Sequence, residues 1–324
     1  MPNTDLEVLS YTLQWLTQGQ RVALVTIVST HGEAPRSPGA LLAISQQGDI
    51  VGSVSGGCIE DDLVARVTKD GFNQVTLLQY GANDKPISSI QLPCGGGITV
   101  VLEPLTQEEA VKPAVLALQQ RQLVVRQLDI SSGQVTWPTV VPETAVQYDD
   151  GRQLTCVFGP QWQLLIIGAG QISRYLAEFA LALNYQVLVC DPRVEYTSTW
   201  SVAGVTVRSD MPDDAVNSLI QDSRSAVVTL THDSKLDDLA LLEALNSPAF
   251  YIGALGSKTT SLNRRTRLRQ MGLTDEALTR LHAPVGLPIG GKNPAEIALS
   301  ILAEMTATKY LNPLPPTLLN APNS

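Results

Sequence analysis

The sequence predicts an α/β protein: an N-terminal mixed α/β domain followed by a C-terminal, Rossmann-like doubly wound parallel sheet. Three observations carry this prediction. From Trp162 onward, short β-branched runs alternate with amphipathic helical stretches, the pattern of a parallel sheet covered on both faces. The first of these strands, "QLLII", runs into a glycine turn at Gly168-Ala169-Gly170 that opens a helix. Before Trp162 the strands are separated instead by Pro- and Gly-rich loops and hairpin turns, so a second architecture precedes the first. A chain of 324 residues is long enough for two domains, each with its own core. The expected division is residues 1–159, residues 160–312 and a Pro-rich tail over 313–324.

The elements follow in order. Leu6, Leu9, Leu13 and Leu16 share one helical face, so the chain opens with a helix. "RVALVTIVST" is apolar and β-branched, a buried strand, and "HGEAPRSPGA" after it is a loop. "LLAIS", the turn "QQGD" and "IVGSVS" form a hairpin. Gly56-Gly57-Cys58 then turns into a helix reaching about Lys69, with Ile59, Leu63 and Val67 on one face. "QVTLLQY" and "ITVVLEPL" are strands flanking "LPCGGG", and residues 108–159 hold a helix and weaker strands, among them "LVVRQLDI" and "QLTCVF". In the second half "QISRYLAEFALALN" places Ile172, Leu176, Phe179 and Leu183 on one face. "YQVLVCD", "GVTVRS", "AVVTLTHD" and "FYIGALG" supply strands, and a long helix runs from Pro294 to about Tyr310.

A net charge of −9 opposes a general nucleic-acid surface, which is normally basic. No run approaches the 18 apolar residues of a membrane span, and the N-terminus has neither the basic nor the apolar segment of a secretory signal. A cytoplasmic location is therefore expected, with the four cysteines reduced and read as buried, ligating or reactive. Neither a CxxC pair nor a zinc-type His/Cys spacing occurs.

Three glycine turns carry candidate chemistry. Gly168, Gly170 and Ser173 make a GxGxxS variant of the dinucleotide fingerprint, and Asp191 ends the next strand 21 positions after Gly170. Glycines let a pyrophosphate approach the backbone, the helix N-terminus attracts it, and the acid accepts from a ribose hydroxyl. The same residues also serve any tight strand-to-helix turn. Cys58 follows Gly56 and Gly57 and precedes a helix, whose positive end favours the nucleophilic thiolate. Cys94 sits on the comparable "PCGGG" turn, whereas Cys156 and Cys190 lie in apolar strands as small core residues. His232 and Asp233 are either an acid-base pair at the ligand edge of the sheet or the cap of the next helix. Lys258, Arg264, Arg265, Arg267 and Arg269 read first as a solvated helix face and second as a surface for an anionic ligand.

Taken in order, "VALVTIVSTHGEAPRSPGALLAI", "GSVSGGCIED", "LLIIGAG", "CDPR", "VVTLTHD", "YIGALGS" and "GLPIGGKNPAEIALSILAEM" resemble the xanthine dehydrogenase accessory factors, the XdhC/CoxI family, over nearly the whole chain. The resemblance implies a protein that binds the molybdenum cofactor, as molybdopterin or its dinucleotide form. It further implies help with sulfuration by a cysteine desulfurase and delivery to an apo molybdoenzyme of the xanthine dehydrogenase/aldehyde oxidase type. On this reading Cys58 is the sulfur that meets the metal, Gly56 and Gly57 give it room, Cys94 is a second candidate, and Arg36 in "APRSPG" pairs with the pterin phosphate. Departures from the family pattern are Glu33 where serine is common, Gln171 where histidine often follows the glycine turn, and Ser173 in place of the third glycine.

The leading expectation is thus a cofactor-binding chaperone and not a turnover enzyme. An NAD(P)-dependent oxidoreductase on the Rossmann unit is the alternative, weakened by the lack of a catalytic constellation beyond His232. A thiol redox protein using Cys58 and Cys94 is the third reading. The client enzyme, the form of the cofactor, a nucleotide at the Rossmann turn and the oligomeric state, a homodimer among the options, are not fixed by the sequence.

Overall fold

A computed structural model describes residues 4–34, 36–81, 95–142, 145–149 and 151–310. The chain divides into two compact units, residues 2–160 and 161–324. Among the described residues no helix is long and apolar enough to cross a membrane.

In the first unit, helix α1 (Thr4–Thr17) precedes strand β1 (Val22–His31) and the hairpin β2 (Leu41–Ser45) and β3 (Ile50–Gly52). Helix α2 (Glu60–Ala65) continues into one π-helical turn, Arg66–Asp70, before β4 (Thr76–Gly81) and β5 (Gly97–Leu105). The five strands form an antiparallel sheet in the order β3-β2-β1-β5-β4. Strand β1 reads as one apolar run because both faces of this sheet are covered. Val22 and Leu24 join the core beneath α1, while Ala23, Val25 and Ile27 join the one beneath α2. Helix α3 (Lys112–Gln119) and the strands β6 (Val124–Asp129), β7 (Val135–Thr136), β8 (Val146–Asp149) and β9 (Gln153–Phe158) complete the unit, the strands as a second antiparallel sheet. Arg126 ties this sheet to the first through its buried ion pair with Glu103, 2.5 Å, and a bond to the Ala110 carbonyl.

The second unit runs β10 (Gln163–Ile167), α4 (Gln171–Ala182), β11 (Gln186–Cys190), α5 (Val194–Thr197), β12 (Thr206–Arg208), α6 (Pro212–Leu219), β13 (Ser225–Thr229), α7 (Ser234–Asn246), β14 (Tyr251–Ala254), α8 (Lys258–Gln270), α9 (Asp275–Thr279), β15 (Leu281–His282) and α10 (Pro294–Tyr310). All six strands are parallel, in the order β12-β11-β10-β13-β14-β15. That is the 3-2-1-4-5-6 order of the dinucleotide-binding folds, with the reversal at β10. Leu164 and Ile166 of β10 face the core under α4 and α10, and Leu165 and Ile167 face the core under α6 and α7. The fold class is the one the sequence predicts.

Two local expectations are corrected. The buried face of α4 is Ser173, Leu176, Ala177 and Ala180, one step round from the predicted stripe, and Leu183 lies past the helix end, half exposed. The arginines of α8 are not a solvated face. Arg264 is only 2% exposed and binds Asp237 of α7 at 2.9 Å. Arg267 binds Asp238 at 2.6 Å, Arg265 donates to the carbonyls of Leu278 and Leu281, and Arg269 pairs with Asp275. Lys258 alone of the five is exposed without a partner among the described residues. Carboxylates and open helix-end carbonyls on neighbouring elements compensate charges that a linear reading assigns to water. Burial pushes the Asp237 carboxyl up to about 6 against the opposing pull of Thr231 and Arg264, which leaves it ionised at neutral pH.

Candidate functional site

The strand registers gather three loops of the first unit at one end of its sheet. His31 at the end of β1 lies opposite Gly97 at the start of β5, Gly81 at the end of β4 lies opposite the same Gly97, and Gly52 at the end of β3 lies opposite Leu42. The loop carrying Arg36, the turn carrying Gly56, Gly57 and Cys58, and the glycines at 95–97 therefore all open at this end. Two of them touch. A side chain on Gly96 would come within 2.7 Å of the Glu33 carbonyl and 2.9 Å of that of His31, so only glycine lets these backbones stack. Arg36 is exposed on its loop. Cys94 lies outside the described residues.

The Gly56-Gly57-Cys58 turn is built around a carboxylate that the linear pattern marks only as a helix-start acid. Glu60 is buried, and its side chain accepts from the N–H groups of Val54 at 3.1 Å, Ser55 at 2.9 Å, Gly57 at 3.0 Å and Ile59 at 3.2 Å. The hydroxyls of Ser53 and Ser55 donate to it as well. Burial alone would raise this carboxyl, but the bonds from Ser55 and Ser53 outweigh it and hold the group at about 2. Ser53 and Ser55 also accept from Gly56 and Ile59, so every part of the turn points inward at one charge. The signal in the sequence was Ser-x-Ser-x-x-x-x-Glu around the glycines, a hydroxyl-rich loop with an acid in reach. Cys58 itself is exposed, and Gly56 and Gly57 hold φ of +74° and +110° with open space where a side chain would stand. The amides on both sides of Cys58 are already engaged by Glu60, so what the turn offers a ligand is the thiol on a rigid, uncluttered support.

Further along the same helix Asp62 accepts from Tyr80 Oη at 2.6 Å and from Arg66 Nε at 2.7 Å. Cys156 and Cys190 are buried, and desolvation pushes both thiols up to about 12. Among the described residues no cluster of His, Cys, Asp and Glu could hold a metal ion by itself.

In the second unit the Gly168–Gly170 turn sits at the carboxyl end of β10, where the strand order reverses and ligands of such sheets bind. Gly168 has φ of +105°, and a side chain there would stand 2.9 Å from Thr231 Cγ2. Gly170 precedes α4 with nothing in the space a side chain would take. Asp191 is fully buried: it accepts from the Ala169 N–H at 2.9 Å and from Arg193 Nε and Nη2, each at 2.8 Å. Burial opposes its ionisation, yet the Arg193 and Ala169 bonds keep its carboxyl below the ordinary value. Its oxygens thus brace the turn. Asp233 caps α7, accepting from Lys235 N at 2.9 Å, and His232 beside it is exposed.

A Rossmann sheet joined to a unit that displays an exposed cysteine on a glycine turn defines a ligand-handling protein of two units. Residues 164–305 match the XdhC Rossmann domain and residues 15–81 match the XdhC and CoxI family. The chain belongs to this family. It is 29% identical over 305 residues to the molybdenum cofactor insertion chaperone PaoD of Escherichia coli K12, covering 93% of this chain and 88% of that one. It is 28% identical over 323 residues to a probable xanthine dehydrogenase component of Bacillus subtilis 168, covering 91% of this chain and 95% of that one. Among solved structures, a protein described as a xanthine dehydrogenase from Bacillus halodurans superposes with a TM-score of 0.71 at 25% identity, over 95% of this chain and 96% of that one.

Proposed function

We propose that this protein binds the molybdenum cofactor, assists its sulfuration and inserts it into an apo molybdoenzyme of the xanthine dehydrogenase/aldehyde oxidase type. The observation that carries this reading is its likeness, over most of both chains, to a molybdenum cofactor insertion chaperone. The loop cluster at one end of the first sheet supports it. A pterin dithiolene complex of molybdenum needs a soft ligand near the metal and donors for its phosphate. Cys58 supplies the thiolate to the metal, its lone soft donor in the described part of the cluster, and Arg36 supplies charge for the phosphate. When bound, the cofactor supplies the metal and a sulfur-transfer centre. The chain's part is to hold it at Cys58, to shield it, and to release it. The Gly168–Gly170 turn takes the nucleotide when the cofactor carries one, and Gly170 leaves the space for it. The sulfur donor is a cysteine desulfurase.

Protein co-produced with cofactor biosynthesis and molybdate should carry pterin and molybdenum in equal amounts, and should restore activity to an apo molybdoenzyme. Protein free of both, combined with tight NAD(P)H binding and hydride-transfer turnover, would replace this reading with the oxidoreductase one.

A further inference from the structure

A half-open cleft of about 410 Å³ lies in the first unit between the π-helical turn Arg66–Asp70 and the edge strand β4. Arg66, Phe72, Asn73, Gln74, Thr76 and Leu78 line it. This size falls within the range of small-ligand sites. Its lining combines apolar walls with one cation, two amides and a hydroxyl, the mixture that binds a planar ring with polar edges and one charged group.

The cation is held in advance. Arg66 donates to Asp62 through its Nε–H, and Asp62 is fixed from the other side by Tyr80, whose hydroxyl also stands close to the guanidinium. Asp62 is the one carboxylate that Arg66 pairs with among the described residues, and it takes only the Nε side of the group. The far edge of the fork is therefore left to face a ligand at the cleft without further ordering. The opposite wall is held by Arg21, which lies over the Phe72 ring at 4.7 Å and donates to the Phe72 carbonyl and to Asn73 Oδ1. With its oxygen so used, the Asn73 amide keeps its N–H groups for a ligand. The helix changes to π geometry at Arg66, a distortion that recurs at functional sites. Cys58 stands at the start of this helix, roughly 12 Å from Arg66 at 1.5 Å per residue.

We infer that this cleft binds a phosphate ester of a planar, amide-bearing heterocycle, with Arg66 on the phosphate and Asn73, Gln74 and Thr76 on the ring edge. The inference rests on the cofactor-chaperone reading for its source, the phosphorylated pterin of the cargo; a free mononucleotide carries the same chemistry.

The test is direct binding of three probes to the full-length protein, followed by fluorescence or calorimetry: a pterin with a side-chain phosphomonoester, the same pterin after phosphatase treatment, and cytidine monophosphate. The wild-type protein should prefer the phosphorylated pterin over its dephosphorylated form by about ten- to a hundred-fold, the scale of one charge-assisted contact. Arg66→Gln should abolish that preference, and Gln74→Ala should weaken both pterins equally while keeping it. A surface pair of this kind adds little stability, so thermal unfolding should be unchanged in both variants. Equal or stronger binding of cytidine monophosphate keeps the cleft and makes a nucleotide its occupant. Absence of phosphate preference in the wild type, or its survival in a folded Arg66→Gln protein, overturns the assignment. The chaperone reading is tested separately, by the molybdenum and pterin content of wild-type protein, so either can fail alone.

Discussion

The Gly56–Cys58 turn and the Gly168–Gly170 turn are each organised by one buried carboxylate, and they differ in where that carboxylate comes from. Glu60 is at most seven residues from every group it binds, so the cysteine turn is a self-contained knot. Asp191 comes from the next strand, 22 residues from the Ala169 amide it accepts from, and it reaches the turn because the parallel pairing of β10 and β11 sets Ile167 beside Cys190. The first turn presents a thiol and keeps its amides. The second packs one glycine against Thr231 and leaves Gly170 facing open space. A local carboxylate makes a rigid pedestal, and a distant one joins a turn to its sheet.

The largest effect expected from breaking this comparison is at Glu60. Its carboxyl lies at about 2 in the folded protein against an ordinary value of 4.5, a difference of about 3 kcal/mol. Because the folded value is the lower one, this contribution is complete above pH 4.5 and fades as pH falls towards 2. Glu60→Gln should lower the melting temperature by about 6–12 °C at pH 7 and flatten the acid limb of the wild-type stability curve. An unchanged melting temperature would mean the knot is ornamental.

Next comes Gly168→Ala. The positive φ and the Thr231 contact together should cost about 2–3 kcal/mol in denaturant unfolding, whereas Gly170→Ala, facing open space, should stay within about 0.5 kcal/mol. A nucleotide at this turn would separate the two: Gly170→Val should lose binding while remaining folded. Asp191→Asn should cost about 1–3 kcal/mol with or without any nucleotide, because it strips the Ala169–Arg193 brace.

The smallest structural effect is at the residue proposed to matter most for the cargo. Cys58→Ser should leave stability within about 0.5 kcal/mol, since the side chain is exposed and makes no packing contact of the core. It should nonetheless reduce molybdenum retention several-fold. Alkylation resolved by mass spectrometry should find Cys58 modified well ahead of Cys156 and Cys190, which burial holds at about 12, and bound cofactor should slow it. Equal labelling with and without cofactor would place Cys58 outside the site.

By itself the sequence determined the architecture of the second unit, since strand and helix periodicities are local and the GAG turn marks where the sheet begins. It also singled out Cys58, Gly56 and Gly57, because a glycine pair before a cysteine at a helix start stands out in a linear pattern. The long helix α10 was legible for the same reason, from Pro294 to Tyr310. Only the tertiary structure decided which polar groups are paired. Glu60 read as a helix-start acid and proved to be the centre of its loop; Asp191 was expected at a ribose and braces its own turn; Arg264 read as surface and lies buried against Asp237. Periodicity reports which face of an element is apolar, and that is settled within a few residues. The partner of a charge is settled by packing between elements tens of residues apart, where desolvation forces each buried ion to find a counter-group that no linear pattern names.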